Sequence, residues 1–195
     1  ANRQAVLDNL VNDIKVHRNR LTTGDIGNRY LFQALATNGL NELMYKMFNH
    51  EEAPGYGFQL KFGATTLTEQ WDPRQGASWN HFMLGQIDEW FFASLAGIQA
   101  DPKQPGMKHL IIKPEPVGDL KFVKASTQTL YGKVAVEWNL HQTDRDCTKG
   151  SNIFTLKVTL PEHCTADVYL PWTNKPEHAS AGVNTFEVAE EPCMF

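Results

Sequence analysis

At 195 residues, with 42% apolar, 11% aromatic and 21% charged residues, the chain has the composition of a globular protein of one large or two small domains, which excludes disordered and collagen-like readings. The net charge is −4, with eight basic against ten acidic residues up to position 100 and ten against twelve beyond it, so neither half has the basic excess that nucleic acid or an anionic membrane surface requires. The longest apolar stretch, 90–98, is far short of the ~20 residues that span a bilayer, and no signal-peptide pattern opens the chain.

Taken in order, the sequence reads as a helical half followed by a β half. Two prolines fall in the first hundred residues and eight in the remainder, and proline is excluded from helix interiors but suits turns and strand edges. Leu7, Leu10, Val11 and Ile14 recur at helical spacing and predict a first amphipathic helix. A second carries Tyr30, Leu31, Ala34 and Leu35 inward and stops at Asn38-Gly39, a pair suited to a left-handed cap. A third, with Leu43, Met44, Met47 and Phe48, follows at once and makes a helical hairpin with the second. The segment 51–77, with glycines at 55, 57, 63 and 76, predicts a long structureless connection, the kind that carries function in compact proteins. Gly55-Tyr56-Gly57 within it reads as a turn, since it lacks the third glycine of a dinucleotide fingerprint.

A fourth helix is predicted over 78–96. Phe82, Met83, Ile87, Trp90, Phe91 and Leu95 point to more than one of its sides, so it requires several partners. Three short helices cannot enclose it, the first sign that the chain is part of something larger. From residue 109 the signals become strands at 109–113, 120–126, 130–140, 153–160, 166–170 and 183–188, several of them alternating with period two, as in Val134, Val136 and Trp138. Such a set predicts an antiparallel β-sandwich. Cys147, Cys164 and Cys193 have no C-x-x-C spacing, which argues against a disulfide framework or zinc knuckle and leaves the redox compartment open. They read as ordinary strand or tail residues.

Site-type residues are densest at 63–81: Glu69, Trp71, Asp72, Trp79, Asn80 and His81. Carboxylates for acid/base work and aromatic faces for the C–H surface of a sugar ring are what a carbohydrate site uses. From composition alone the same residues fit better an arrangement with solvated acids, core indoles and a histidine at a helix start. No histidine lies at metal-ligand spacing to another His or Cys, so no metal is expected. Asp88-Glu89 in the fourth helix and Glu51-Glu52 beyond the third read as solvated charges.

Four blocks carry a resemblance: Leu21-Thr22-Thr23-Gly24-Asp25-Ile26-Gly27-Asn28-Arg29-Tyr30-Leu31; Ala53-Pro54-Gly55-Tyr56-Gly57; Gly63-Ala64-Thr65-Thr66 with Glu69 and Trp71-Asp72; and Asn80-His81 with Gly85, Glu89-Trp90 and Ala96-Gly97-Ile98. In order and approximate spacing they resemble the C-terminal part of bacterial α-L-rhamnosidases of glycoside hydrolase family 78. Two later segments, 105–114 and 166–171, resemble the β-domain that closes those enzymes. The resemblance implies an α+β multidomain fragment: residues 1–100 as the last helices of an (α/α)6 barrel, and 101–195 as an antiparallel β-sandwich. Six hairpins require twelve helices and about four are legible here, so the upstream barrel half would be this chain's partner within the same protein.

The resemblance further implies hydrolysis of terminal α-L-rhamnosides with inversion, with a rhamnose-containing glycoside or polysaccharide as substrate and no cofactor, nucleic acid or membrane. Glu69 matches the family's general base and His81 a histidine that contacts the sugar, while the general acid has no counterpart here. Trp71, Asp72, Asn80 and Tyr56 join them as substrate-binding candidates, with structural roles equally open for Trp71, Asp72 and Tyr56. Thr68 and Gln70 stand where family members usually have Trp and Arg, and the loop from 69 to 81 is shorter than is common. A periplasmic or secreted location is the working expectation. The alternative function is a non-catalytic sugar-binding or structural module built on the sandwich, with Trp138 or Trp172 as its aromatic contacts.

Overall fold

In the computed structural model, residues 2–75, 78–142 and 152–190 are described. Cys147, Cys193 and the tail beyond Glu190 lie outside them. The chain forms two compact units, Ala1–Asp88 and Glu89–Phe195. The first is helical. Helix α1 (Arg3–Val16) opens with the Asn2 side chain accepting the Ala5 N–H and buries Ile14. Helix α2 (Asp25–Ala36) buries Asn28, Leu31, Phe32 and Leu35, and helix α3 (Asn41–Phe48) buries Met44, Met47 and Phe48.

The α2–α3 hairpin turns where the sequence places it. Gly39 has a φ of +71°, and the Leu40 N–H returns to the Leu35 carbonyl at 3.0 Å. The Phe32 and Phe48 rings meet edge to face at 4.7 Å across the pair. Tyr30, expected inward, is 70% exposed, because Phe32 instead of Tyr30 completes the apolar stripe with Leu31 and Leu35.

Two expectations for the segment after α3 are overturned. The connection 51–77 is not structureless: it contains helix α4 (Tyr56–Lys61), with Gly55 as its N-cap. Gly55-Tyr56-Gly57 is therefore a helix start, and glycine is needed there because a Cβ on Gly57 would lie 2.6 Å from the His50 carbonyl oxygen. The predicted 78–96 helix begins late and is broken. A 3-10 turn covers Phe82–Leu84, helix α5 is Ile87–Trp90, and a π-helical turn covers Phe91–Leu95. Residues 78–81 are instead non-helical and hydrogen-bonded to the chain at 67–69. Phe82 is 80% exposed, so the helix that sequence reads as enclosed shows apolar surface in this chain.

The second unit is a sandwich of two four-stranded sheets sharing one core. The first sheet runs β1 (Ile98–Ala100), β2 (His109–Ile112), β6 (Thr165–Val168), β7 (Glu177–Ala179) in spatial order. The second runs β3 (Phe122–Thr129), β4 (Gly132–Gln142), β5 (Asn152–Leu160), β8 (Gly182–Ala189). All six predicted strands are present. Where sequence puts the join at 99–105, β1 is already a strand at Ile98–Ala100.

All pairings are antiparallel except β2 with β6, which run parallel. Parallel neighbours need a long crossover, and here the crossover is three strands of the other sheet. Leu130 and Tyr131 form the two-residue turn between β3 and β4 instead of opening the strand, and Leu130 is 95% exposed.

Alternation along β4 and β5 sends Val134, Val136, Trp138, Phe154, Leu156 and Val158 into the core. Trp138 is fully buried, so it cannot be a sugar contact; its indole N–H donates to the Leu95 carbonyl at 2.7 Å. That bond satisfies a carbonyl in the last turn before Gly97. Gly97, with a φ of +76°, passes so close to Lys113 that a Cβ would lie 2.2 Å from its carbonyl carbon.

Trp138→Phe is expected to leave the Leu95 carbonyl without its indole donor and a gap beside Phe154, costing about 1–3 kcal/mol. Urea denaturation followed on the β unit checks this, and an unchanged midpoint would show that the bond contributes nothing.

Candidate functional site

Helix α4 ends at Phe62, and Gly63 turns the chain with a φ of +79°. The backbone then runs out through Leu67–Glu69 and returns through 78–81. The Glu69 N–H donates to the Ser78 carbonyl at 3.1 Å and the His81 N–H to the Leu67 carbonyl at 2.8 Å. The Thr66 hydroxyl donates to the Trp79 carbonyl. Between these two bonds the returning segment holds two residues, Trp79 and Asn80, opposite Thr68 alone. The two backbone bonds are therefore unevenly spaced along the two segments. The second of them also explains the late helix: the amide of His81 is committed to Leu67 and is not available to start a helical turn at 78.

Helix α4 holds this hairpin from beneath at two points one turn apart. Gln59 is 3% exposed, and its side-chain amide donates to Thr68 Oγ1 at 2.9 Å and to the Gln70 carbonyl at 3.1 Å. Thr68, fully buried, donates its hydroxyl to the same Gln70 carbonyl at 2.7 Å. Tyr56 donates its hydroxyl to the Leu84 carbonyl at 2.5 Å and meets Trp71 edge to face at 5.1 Å. Trp71 in turn donates its indole N–H to the Thr23 carbonyl at 3.3 Å. Burial first, then the negative charge of Asp88, pushes the Tyr56 phenol well above its usual range, so it stays a neutral donor.

The far end of the hairpin is closed by Asp72. Its carboxylate accepts from the Arg74 backbone N–H at 3.0 Å, from Arg74 Nε and Nη2 at 2.8 Å each, and from Gln75 Nε2 at 3.2 Å. The Arg74 guanidinium holds this carboxyl below the ordinary carboxylate range and itself lies 4.1 Å from the centre of the Phe62 ring. A depressed pKa places the stabilisation by this pair above the unfolded carboxylate value, about 4, and removes it as pH falls through the lower folded value. The turn therefore keeps its closure across neutral and mildly acidic pH.

The structure thus gathers the six candidates on one hairpin and its support but gives them different surroundings. Glu69 is exposed, and among the described residues its carboxylate has no hydrogen-bond or ion-pair partner. Asn80 is exposed and His81 half-buried, both engaged through the backbone amide alone among the described residues. Tyr56, for which substrate-binding and structural roles stood equally open, is interior at 8% exposure. Asp72 is tied into the loop itself, while Trp71 is tied to Thr23 and packs on Tyr56. Sequence reading missed Gln59, Thr68 and Arg74. Only Arg74 left a trace, its position two residues after Asp72, the spacing of an Asx turn. Among the described residues no group of three or more His, Cys, Asp or Glu is arranged to hold a metal ion.

Comparison with known proteins adds the family. The model of the bacterial alpha-L-rhamnosidase 6 hairpin glycosidase domain matches residues 1–95, and that of the bacterial alpha-L-rhamnosidase C-terminal domain matches residues 97–184. A curated alpha-L-rhamnosidase of Streptomyces avermitilis is 29% identical, the alignment covering 98% of this chain and 18% of the relative. The solved structure of alpha-L-rhamnosidase from Dictyoglumus thermophilum is 29% identical with a TM-score of 0.82, covering 95% of this chain and 23% of that one. The structure of the Streptomyces avermitilis alpha-L-rhamnosidase complexed with L-rhamnose is 25% identical with a TM-score of 0.78, covering 93% and 19%. The chain thus spans about a fifth of the length of the proteins it matches.

Gly57→Ala tests the support from α4. The added methyl would sit 2.6 Å from the His50 carbonyl, so the helix must shift and carry Tyr56 and Gln59 with it. The amides of Glu69 and His81 are expected to exchange with solvent at least about tenfold faster, the signature of a locally weakened unit. Unchanged exchange at both amides would show that the hairpin stands without α4.

Proposed function

The chain belongs to the bacterial α-L-rhamnosidase family, a glycoside hydrolase family, and from that premise we propose that it is the C-terminal part of an inverting enzyme in which Glu69 is the general base. Glu69 takes the proton of a water as that water attacks the anomeric carbon of a terminal α-L-rhamnosyl unit. A general acid on the opposite face of the ring protonates the departing glycosidic oxygen. Inversion needs the two carboxyl groups about 6.5–9.5 Å apart to admit the water. The acid belongs to the upstream part of the barrel, so this chain holds half of the catalytic pair.

The observation that carries this reading is the contrast between two carboxylates three residues apart. Asp72 is saturated with donors from Arg74 and Gln75, which lowers its proton affinity. Glu69 keeps its carboxylate without a partner among the described residues, on a backbone fixed on both sides. A base must be positioned and yet have lone pairs to spare. Asn80 and His81, whose side chains are not consumed by the fold, serve to grip sugar hydroxyls, while Tyr56 and Trp71 support the hairpin from within. The relative bound to L-rhamnose in its solved structure supports rhamnose as the sugar.

Two outcomes test the proposal. The purified 195-residue chain is expected to give no turnover of an aryl α-L-rhamnoside, because acid and base cannot both act. In the complete enzyme, Glu69→Gln keeps the size but cannot accept a proton, and kcat is expected to fall by about 10²–10⁴ with substrate binding retained. Near-normal kcat for that variant would sink the base assignment.

A further inference from the structure

We infer that Gln59 is the positioning residue of Glu69, a role that rests on the base reading above and extends it to a side chain that touches no substrate. Among the described residues the side-chain hydrogen bonds of Gln59 go to the residues on either side of Glu69. Its Nε2 donates to Thr68 Oγ1 at 2.9 Å and to the Gln70 carbonyl at 3.1 Å. The triangle is closed by the Thr68 hydroxyl on the Gln70 carbonyl at 2.7 Å.

Gln59 and Thr68 are both buried, so these bonds do not compete with water and their loss would leave polar groups stranded. On the opposite edge the Glu69 N–H is held by the Ser78 carbonyl. The backbone of Glu69 is thereby fixed from both edges, and only its side-chain torsions remain free. Nothing in the stability of α4 calls for an amide here: the helix faces its own core with Tyr56, and a leucine at 59 would fill similar space. An amide nitrogen shared between the acceptors on either side of Glu69 matches a task of fixing one peptide's direction.

Displacing a reacting group by about 1 Å can cost on the order of 100-fold in rate. In the complete enzyme, Gln59→Leu is therefore expected to lower kcat on an aryl α-L-rhamnoside by about 10- to 100-fold with KM changed less than about threefold. Thr68→Val, which removes one corner of the triangle at constant shape, should do the same to a smaller degree and stands in where Gln59→Leu does not fold. Placed in the Glu69→Gln background, either change should lower the residual rate hardly at all, because a base that is gone cannot be misplaced.

The results separate the two claims. If Glu69→Gln collapses kcat while folded Gln59→Leu and Thr68→Val keep it near the parent value, the positioning role is overturned and the base stands. If the Gln59 change lowers the Glu69→Gln residual rate by the same factor as in the parent, Gln59 is merely structural and the inference is again overturned. Near-normal kcat in Glu69→Gln removes the base and the positioning role together.

Discussion

A side-chain amide that is 3% exposed has to be given partners by the fold, since each buried polar group left unpaired costs about 1–3 kcal/mol. Gln59 is such a group, and the course of the chain at 68–70 follows from it. The hairpin must bring a hydroxyl and a carbonyl within reach, which it does with Thr68 and Gln70. It must then leave the residue between them facing elsewhere. Helix α4 is only six residues long and too short to persist alone. It exists because Gly57 lets it press against His50 and because Tyr56 and Gln59 are tied to the segments above it. Helix and hairpin are thus conditions of each other.

The β unit solves a different problem. A π turn at Phe91–Leu95 and a tight passage at Gly97 put the backbone directly into β1, and the Trp138 indole closes onto the Leu95 carbonyl from the middle of the other sheet. Without such a bond a carbonyl next to a sandwich core would be a liability. The same side chain fills the core against Phe154, with ring centres 5.6 Å apart. One residue therefore ties the segment that leads into the sandwich to the sheet that lies farthest from it in sequence within that half.

The legible parts were those governed by periodicity. Alternation over eight to eleven residues announced β3, β4, β5 and β8, and the 3.6-residue stripe with Asn38-Gly39 announced the α2–α3 hairpin. Strands β1 and β7, three residues each, are too short to show a period and are held by register with their neighbours. Helix α4 was hidden by glycines that normally break helices but here permit a close approach. The helix expected from 78 was lost to a competing partner for its first amides, and Gly85 follows a 3-10 turn in place of a continuing helix. At the site, the charged and aromatic candidates were visible by type, and the blocks of the family resemblance put Glu69 first among them. Gln59 was not visible. A neutral amide in a stretch that reads as loop carries no pattern, and its meaning comes only from what lies above it.

What separates the two acids of the hairpin is likewise a matter of partners, not of residue type. Asp72 sits where the chain turns back, so the amide and guanidinium of Arg74 fall naturally within its reach. Each donor stabilises the charged form, and the carboxylate becomes a structural anchor with little affinity left for a proton. Glu69 has its backbone amide spent on Ser78, and the Gln59 amide is directed to its two neighbours. Among the described residues the donors of this turn thus fall on Asp72 and on the neighbours of Glu69, and none on the Glu69 carboxylate itself. Moving Gln59's amide onto Glu69 itself would hold that side chain as firmly, but a donor on the carboxylate would also lower its proton affinity, which the base proposed above needs to keep. Bonds to the two neighbours fix the peptide without that cost.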